Sequence, residues 1–115
     1  MSEPTARKGL EELLREPTRL AELVAYQEGG VVSRALLARE SGTVTLFAFD
    51  AGQSLSEHTA PYDALVLVLE GEADLTVSGR PYHLRAGETL LMPAGEPHAV
   101  RAPARFKMLL VMLRT

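Results

Sequence analysis

A chain of 115 residues with 46% hydrophobic and 23% charged side chains has the size and make-up of one globular domain able to bury its own core. The net charge of -3, without any basic run, argues against nucleic acid and anionic membranes as partners. No cysteine is present, which excludes disulfides, thiolate metal ligands and cysteine nucleophiles and fits a reducing compartment, so the cytoplasm is the expected location.

The N-terminus, MSEPTARKGLEELLREPTRLAEL, carries charges every few residues and has no apolar stretch of the kind found in signal peptides or spanning helices. Leu10, Leu13 and Leu14 fall at helical spacing, Thr5 can cap the start, and Pro17 ends the run by removing a donor and clashing with the preceding turn. One short amphipathic helix is therefore expected, within an arm of residues 1–30 that covers a sheet edge or reaches a second subunit.

After Gly30 the pattern changes. The runs VVSRALLAR, GTVTLFAFD, ALVLVLEGEADLTVSG, PYHLRAG, TLLMPAG, PHAVRA and RFKMLLVMLR are short, apolar or β-branched, and separated by Gly, Pro, Asp and Ser. Regularly spaced runs of this kind predict an all-β sandwich or barrel over residues 31–115. ALVLVL and MLLVML are apolar at every position, so both faces of those strands call for cover: the core on one side, and a second sheet, the arm or a homodimer partner on the other.

Here the chain resembles the cupin superfamily, small double-stranded β-helices of the jelly-roll type. The family's first motif runs Gly, five residues, His, one residue, His, three or four residues, Glu, six residues, Gly. Gly52 and His58 match it and Gly71 closes it, but Ala60 stands at the second His position and Ala64 at the Glu position. The second motif, Gly, five residues, Pro, one residue, Gly, two residues, His, is met in full by Gly87, Pro93, Gly95 and His98. The resemblance covers about residues 31–113 and implies a small cupin barrel. The glycines have a structural explanation, since tight turns between strands need positive φ.

If SLSEHTA is extended, Ser56, His58 and Ala60 share one face; the resemblance implies that this face lines the barrel interior, where His58 meets His98. Imidazoles suit Zn, Cu, Fe and Ni, yet a protein metal site generally needs three protein ligands, and the two alanines remove the obvious candidates. Asp63 would complete a two-histidine, one-carboxylate set if a bulge redirected it, with Gln53 and Tyr62 as further polar neighbours. His83 fits no motif position and reads as an ordinary strand histidine. Phe47, Met92 and Met108, with Phe49, Phe106 and Met112, pack the core or wall an apolar pocket that Ala60 and Ala64 leave roomy. Ser54 and Ser56 make no nucleophilic dyad with His58, since no orienting third group is evident.

The expected function is binding of a small, partly apolar molecule, or of a weakly held divalent metal (Zn, Ni, Mn or Fe), in a pocket formed by His58, Ala60, Ala64, His98, Phe47, Met92 and Met108, with His58, His98 and Asp63 as the metal set. The alternative implied by the resemblance is a metal-dependent dioxygenase or isomerase. A sensor role is a third, but no helix-turn-helix accompanies the barrel. A homodimer through sheet edges and the N-terminal segment is expected.

Overall fold

A computed structural model describes residues 9–115. The expected runs form eight strands: β1 (Val31–Arg39), β2 (Gly42–Phe49), β3 (Ser54–His58), β4 (Tyr62–Val77), β5 (Arg80–Arg85), β6 (Thr89–Met92), β7 (His98–Arg101) and β8 (Phe106–Arg114). All pairings are antiparallel, and the strand path runs β1-β2-β8-β4-β7-β3, with β5 and β6 also paired to β4. The fold is the double-stranded β-helix, two sheets facing each other across one core.

β4 holds the two sheets together. Its first part pairs with β6 and β8, and its second part with β5 and β7. The handover lies at a bulge between Val68 and Glu70 followed by Gly71, whose φ is +78°, because a strand that changes sheets needs a bend there. Only glycine fits: a Cβ on Gly71 would collide with the Arg105 carbonyl oxygen and stand 2.8 Å from Phe106 Cα. Gly52, Gly87 and Gly95 also have positive φ.

Inward-facing side chains of both sheets fuse into the main core, which includes Phe49, Val66, Val68, Leu75, Val100, Phe106 and Met108. Phe49 and Phe106 stack with centroids 4.5 Å apart, an arrangement adding about 0.5–1.5 kcal/mol beyond area burial.

Among the described residues the N-terminal helix, α1, spans Gly9–Leu13; Thr5 lies outside the described residues. A single 3-10 turn, Leu20–Leu23, follows. With Val24 it covers Leu46 and Ala48 on the outer face of β2, forming a second apolar cluster. Polar contacts fix the arm in place. Lys107, buried, donates from Nζ to the Ala21 carbonyl at 2.6 Å, and Tyr26 donates to Glu70 Oε2 at 2.6 Å; burial first, and then that carboxylate, push the Tyr26 phenol above its ordinary value. Asp50 accepts from Gly29 N–H and Arg105, which pull its carboxyl down to about 2.

The apolar runs behave differently on their two faces. Ala64, Val66 and Val68 are buried in the core, whereas Leu65 is 42% exposed and Leu113, at the end of β8, is 57% exposed. The described part of the arm, residues 9–30, covers the face around Leu46 and Ala48.

Candidate functional site

His58 ends β3 and His98 opens β7, and the two residues are register partners. Their rings meet edge to face, with centroids 4.4 Å apart and an interplanar angle of 71°. His98 is buried at 7% exposure and His58 is open to solvent, so the pair leads from the interior to the surface.

Both rings are oriented in the same way. His58 Nδ1 lies 2.8 Å from the Ser56 carbonyl oxygen, and His98 Nδ1 lies 3.1 Å from that of Glu96. A carbonyl can only accept, so each Nδ1 must carry the proton. In the neutral imidazole that leaves Nε2 with its lone pair. Among the described residues no hydrogen bond engages either Nε2. Two imidazoles held by backbone carbonyls with Nε2 as acceptor are in the form that binds a metal or a hydrogen-bond donor.

The remaining expected residues divide. Ala64 is buried and faces inward, in one cross-strand row with Met92 of β6, Met112 of β8 and Thr43 of β2. Phe47 and Met108 fall two rows deeper, paired with each other and with Val68, and belong to the packed core. Ala60 departs from the expected alternation. β3 stops at His58 after an irregularity between Leu55 and His58, so Ala60 sits on the β3–β4 connection, where its carbonyl accepts from Gly95 N–H at 2.9 Å.

Asp63 does not join the histidines. No bulge redirects it; its Oδ1 accepts from Ala94 N–H at 3.0 Å, and the irregularity of β4 lies further on, at Val68. Among the described residues no group of three or more His, Cys, Asp or Glu converges as a metal would require. Gln53 is used by its backbone in turns with Asp50 and Ala102, and the Tyr62 ring lies 5.8 Å beneath the Arg114 guanidinium.

His83 is on the outer side of the β4–β5 pair, bonded through Nδ1 to Asp74 and through Nε2 to Glu72, each at 2.6 Å. The Asp74 bond, then the Glu72 bond, raise its pKa.

Thr43 was not singled out by sequence. Among the described residues its buried Oγ1 has no hydrogen-bond partner, and its register row points it toward the inside of the barrel with Met112. A threonine in a β-branched run has no sequence signal of this kind, because the orphan atom arises from its tertiary neighbours.

The family model of the cupin domain matches residues 45–113. Among solved structures, a conserved protein of unknown function from Streptococcus pyogenes is 36% identical with a TM-score of 0.84, over 87% of this chain and 88% of that one. A cupin 2 conserved barrel domain protein from Leptotrichia buccalis is 45% identical with a TM-score of 0.80, over 82% of this chain and 46% of that one. A cupin superfamily protein from Desulfitobacterium hafniense is 36% identical with a TM-score of 0.83, over 87% of this chain and 92% of that one. No curated protein matches the chain.

Proposed function

This chain belongs to the cupin family, and on that premise we propose that it is a binding module whose barrel takes a small, partly apolar molecule, or a weakly held divalent cation, on the Nε2 atoms of His58 and His98. The observation that carries this reading is the matched orientation of the two rings, each fixed through Nδ1–H on a backbone carbonyl. The row of Met92, Ala64 and Met112 supplies an apolar wall with a small residue at its centre, and the Thr43 hydroxyl, without a partner among the described residues, supplies a further polar group, as small-molecule sites do.

Among the described residues the donor set supplies two of the ligands a metal needs and not a third, since Asp63 Oδ1 accepts from Ala94 N–H. Zn, Ni, Mn or Fe would therefore share its coordination with water or an organic ligand and be held weakly. Metal-dependent oxygenase or isomerase chemistry needs a third protein ligand at the pair, which the described residues do not bring there. The reading also includes a homodimer and a reducing compartment such as the cytoplasm, the latter supported by the cysteine-free sequence. Among the described residues no helix is long and apolar enough to cross a membrane.

Native mass spectrometry of protein purified without a His-tag, combined with metal analysis, tests the site. Retained organic mass or metal should be lost from His58→Ala and from His98→Ala but kept by His83→Ala. Equal loss from all three variants would remove the basis for the pair.

A further inference from the structure

The connection between β6 and β7, residues 93–97, carries the Glu96 carbonyl that orients His98. Four consecutive residues of it are tied to other parts of the chain. Ala94 N–H donates to Asp63 Oδ1 at 3.0 Å, and Gly95 N–H donates to the Ala60 carbonyl at 2.9 Å. Glu96 Oε1 accepts from Ser78 Oγ at 2.9 Å, and the Pro97 carbonyl accepts from Ser78 N–H at 2.8 Å. Asp63 is the second residue of β4 and Ser78 directly follows that strand, so the two ends of one strand hold the connection from both sides.

These ties bear on the histidine pair. Ala60 lies two residues after His58 and Glu96 two residues before His98, so the Ala60–Gly95 bond joins the segments beside the two rings. The Asp63–Ala94 bond stands next to it and, among the described residues, is the one bond in which a side chain accepts from a backbone N–H of the connection. Within the connection Glu96 N–H donates to the Pro93 carbonyl at 3.3 Å, closing a turn with Gly95 at φ +82°. A carbonyl rotates with its peptide plane, and a hydrogen bond weakens steeply with misalignment. The attachment of this turn therefore decides whether the Glu96 carbonyl stays on His98 Nδ1.

We propose that Asp63 is a positioning residue for His98, an inference that rests on the assignment of the Nε2 atoms to a ligand. Its carboxylate pins the connection, the pinned Glu96 carbonyl keeps the proton on His98 Nδ1, and Nε2 is left as the acceptor. An ionised acceptor suits this task, since its hydrogen bonds are roughly twice as strong as those of a neutral one. Ala64 pairs with Met92, which places Asp63 next to the residues that follow β6. The effect is confined to one ring. The carbonyl on His58 Nδ1 belongs to Ser56, within β3 itself.

Long-range ¹H–¹⁵N spectra at about pH 8, recorded without metal, test Asp63 independently of whether the pair binds anything. Asp63→Ala should shift the His98 tautomer ratio toward Nε2–H by at least about threefold, the worth of one hydrogen bond, while His58 stays as in the parent. Asp63→Asn, whose amide oxygen still accepts from Ala94 N–H, should restore the parent ratio. Asp63→Leu repeats the test without opening a cavity and rests against its register partner Leu113, should the alanine variant lose its fold. Asp74→Ala, which removes a carboxylate of the same strand that serves His83, should leave His98 unchanged. An unaltered His98 in the folded alanine or leucine variant, an equal change at His58, or an asparagine variant as perturbed as alanine overturns the proposal. A parent whose Nε2 atoms do not respond to added Zn²⁺ or to a small-molecule ligand instead removes the binding assignment, and the metal-free tautomer result still decides the role of Asp63.

Discussion

Replacing Ala64 with glutamate restores the carboxylate that the family's first motif carries, at a position whose environment is closed. Ala64 is 3% exposed, between Met92 and Met112 in its cross-strand row. The longer side chain overfills a packed site, and overpacking of this kind costs about 1–3 kcal/mol. The new carboxyl also loses water without gaining a partner, and taking up a proton limits that penalty to about 1–3 kcal/mol. Allowing for partial overlap, the variant should be destabilised by about 2–4 kcal/mol without metal. An unfolding entropy near 2.1 cal/mol/K per residue makes 1 kcal/mol worth about 4 °C in a chain of this length, so the melting temperature should fall by about 8–16 °C. Metal should recover much of the loss. With the introduced carboxylate beside the two imidazoles the site has three protein ligands, and Zn²⁺ at about a hundred times its Kd stabilises the folded state by about 2.7 kcal/mol, roughly 11 °C. The parent, with two imidazoles, should gain under about 2 °C at the same metal concentration if its Kd is near that concentration. Melting curves with Zn²⁺ and with a chelator measure both effects. A variant as stable as the parent in chelator would show that position 64 is not closed. A metal response equal to the parent's would show that Ala64 does not face the histidines, and the reasoning fails.

Two further outcomes follow from particular contacts. Gly71→Ala combines a left-handed φ with a Cβ placed 2.8 Å from Phe106 Cα and nearer still to a carbonyl, whereas a Cβ on Gly87, at φ +90°, meets nothing within 4 Å. Thermal melts should show a cost above about 4 kcal/mol at Gly71 and only about 1–2 kcal/mol at Gly87; equal costs would sink the account of β4 as the strand that joins the sheets. His83 has its pKa raised by Asp74 and Glu72. Its contribution is therefore full below the unfolded value of about 6.5 and is lost as pH rises through the higher folded value. The melting difference between parent and His83→Ala should shrink from about pH 6 to about pH 9, and a difference independent of pH would contradict the ion-pair assignment.

The strands were legible because alternation and turn residues mark them locally. The long apolar run of β4 was visible as one segment, and Gly71 as its closing glycine, but the bulge at Val68 follows from pairing with two different sheets and leaves no trace in residue order. The 3-10 turn at Leu20–Leu23 is held by the outer face of β2 and by Lys107, both distant in sequence. In the site, the motif spacing brought out His58 and His98, which the fold makes register partners. Strict alternation failed at Ala60 because the irregularity in β3 precedes it, in a stretch without a glycine to signal it. Asp63 would have needed a bulge to turn inward; the β6–β7 connection offers its carboxylate a backbone donor instead. The Nδ1 bonds that fix both rings come from carbonyls two residues back in the chain, which sequence spacing shows only once the local backbone path is known.

The central claim is that His58 and His98 act as a pair with Nε2 open to a ligand. A long-range ¹H–¹⁵N spectrum of the three imidazoles, recorded at about pH 8 where a free imidazole is neutral while Zn²⁺ is added, tests it most directly. The account predicts that His58 and His98 both carry their proton on Nδ1 before metal is added. Their Nε2 resonances then shift along one shared isotherm with weak affinity, and His83 stays unchanged. Protons on Nε2, independent isotherms for the two rings, or an equal response from His83 would contradict it.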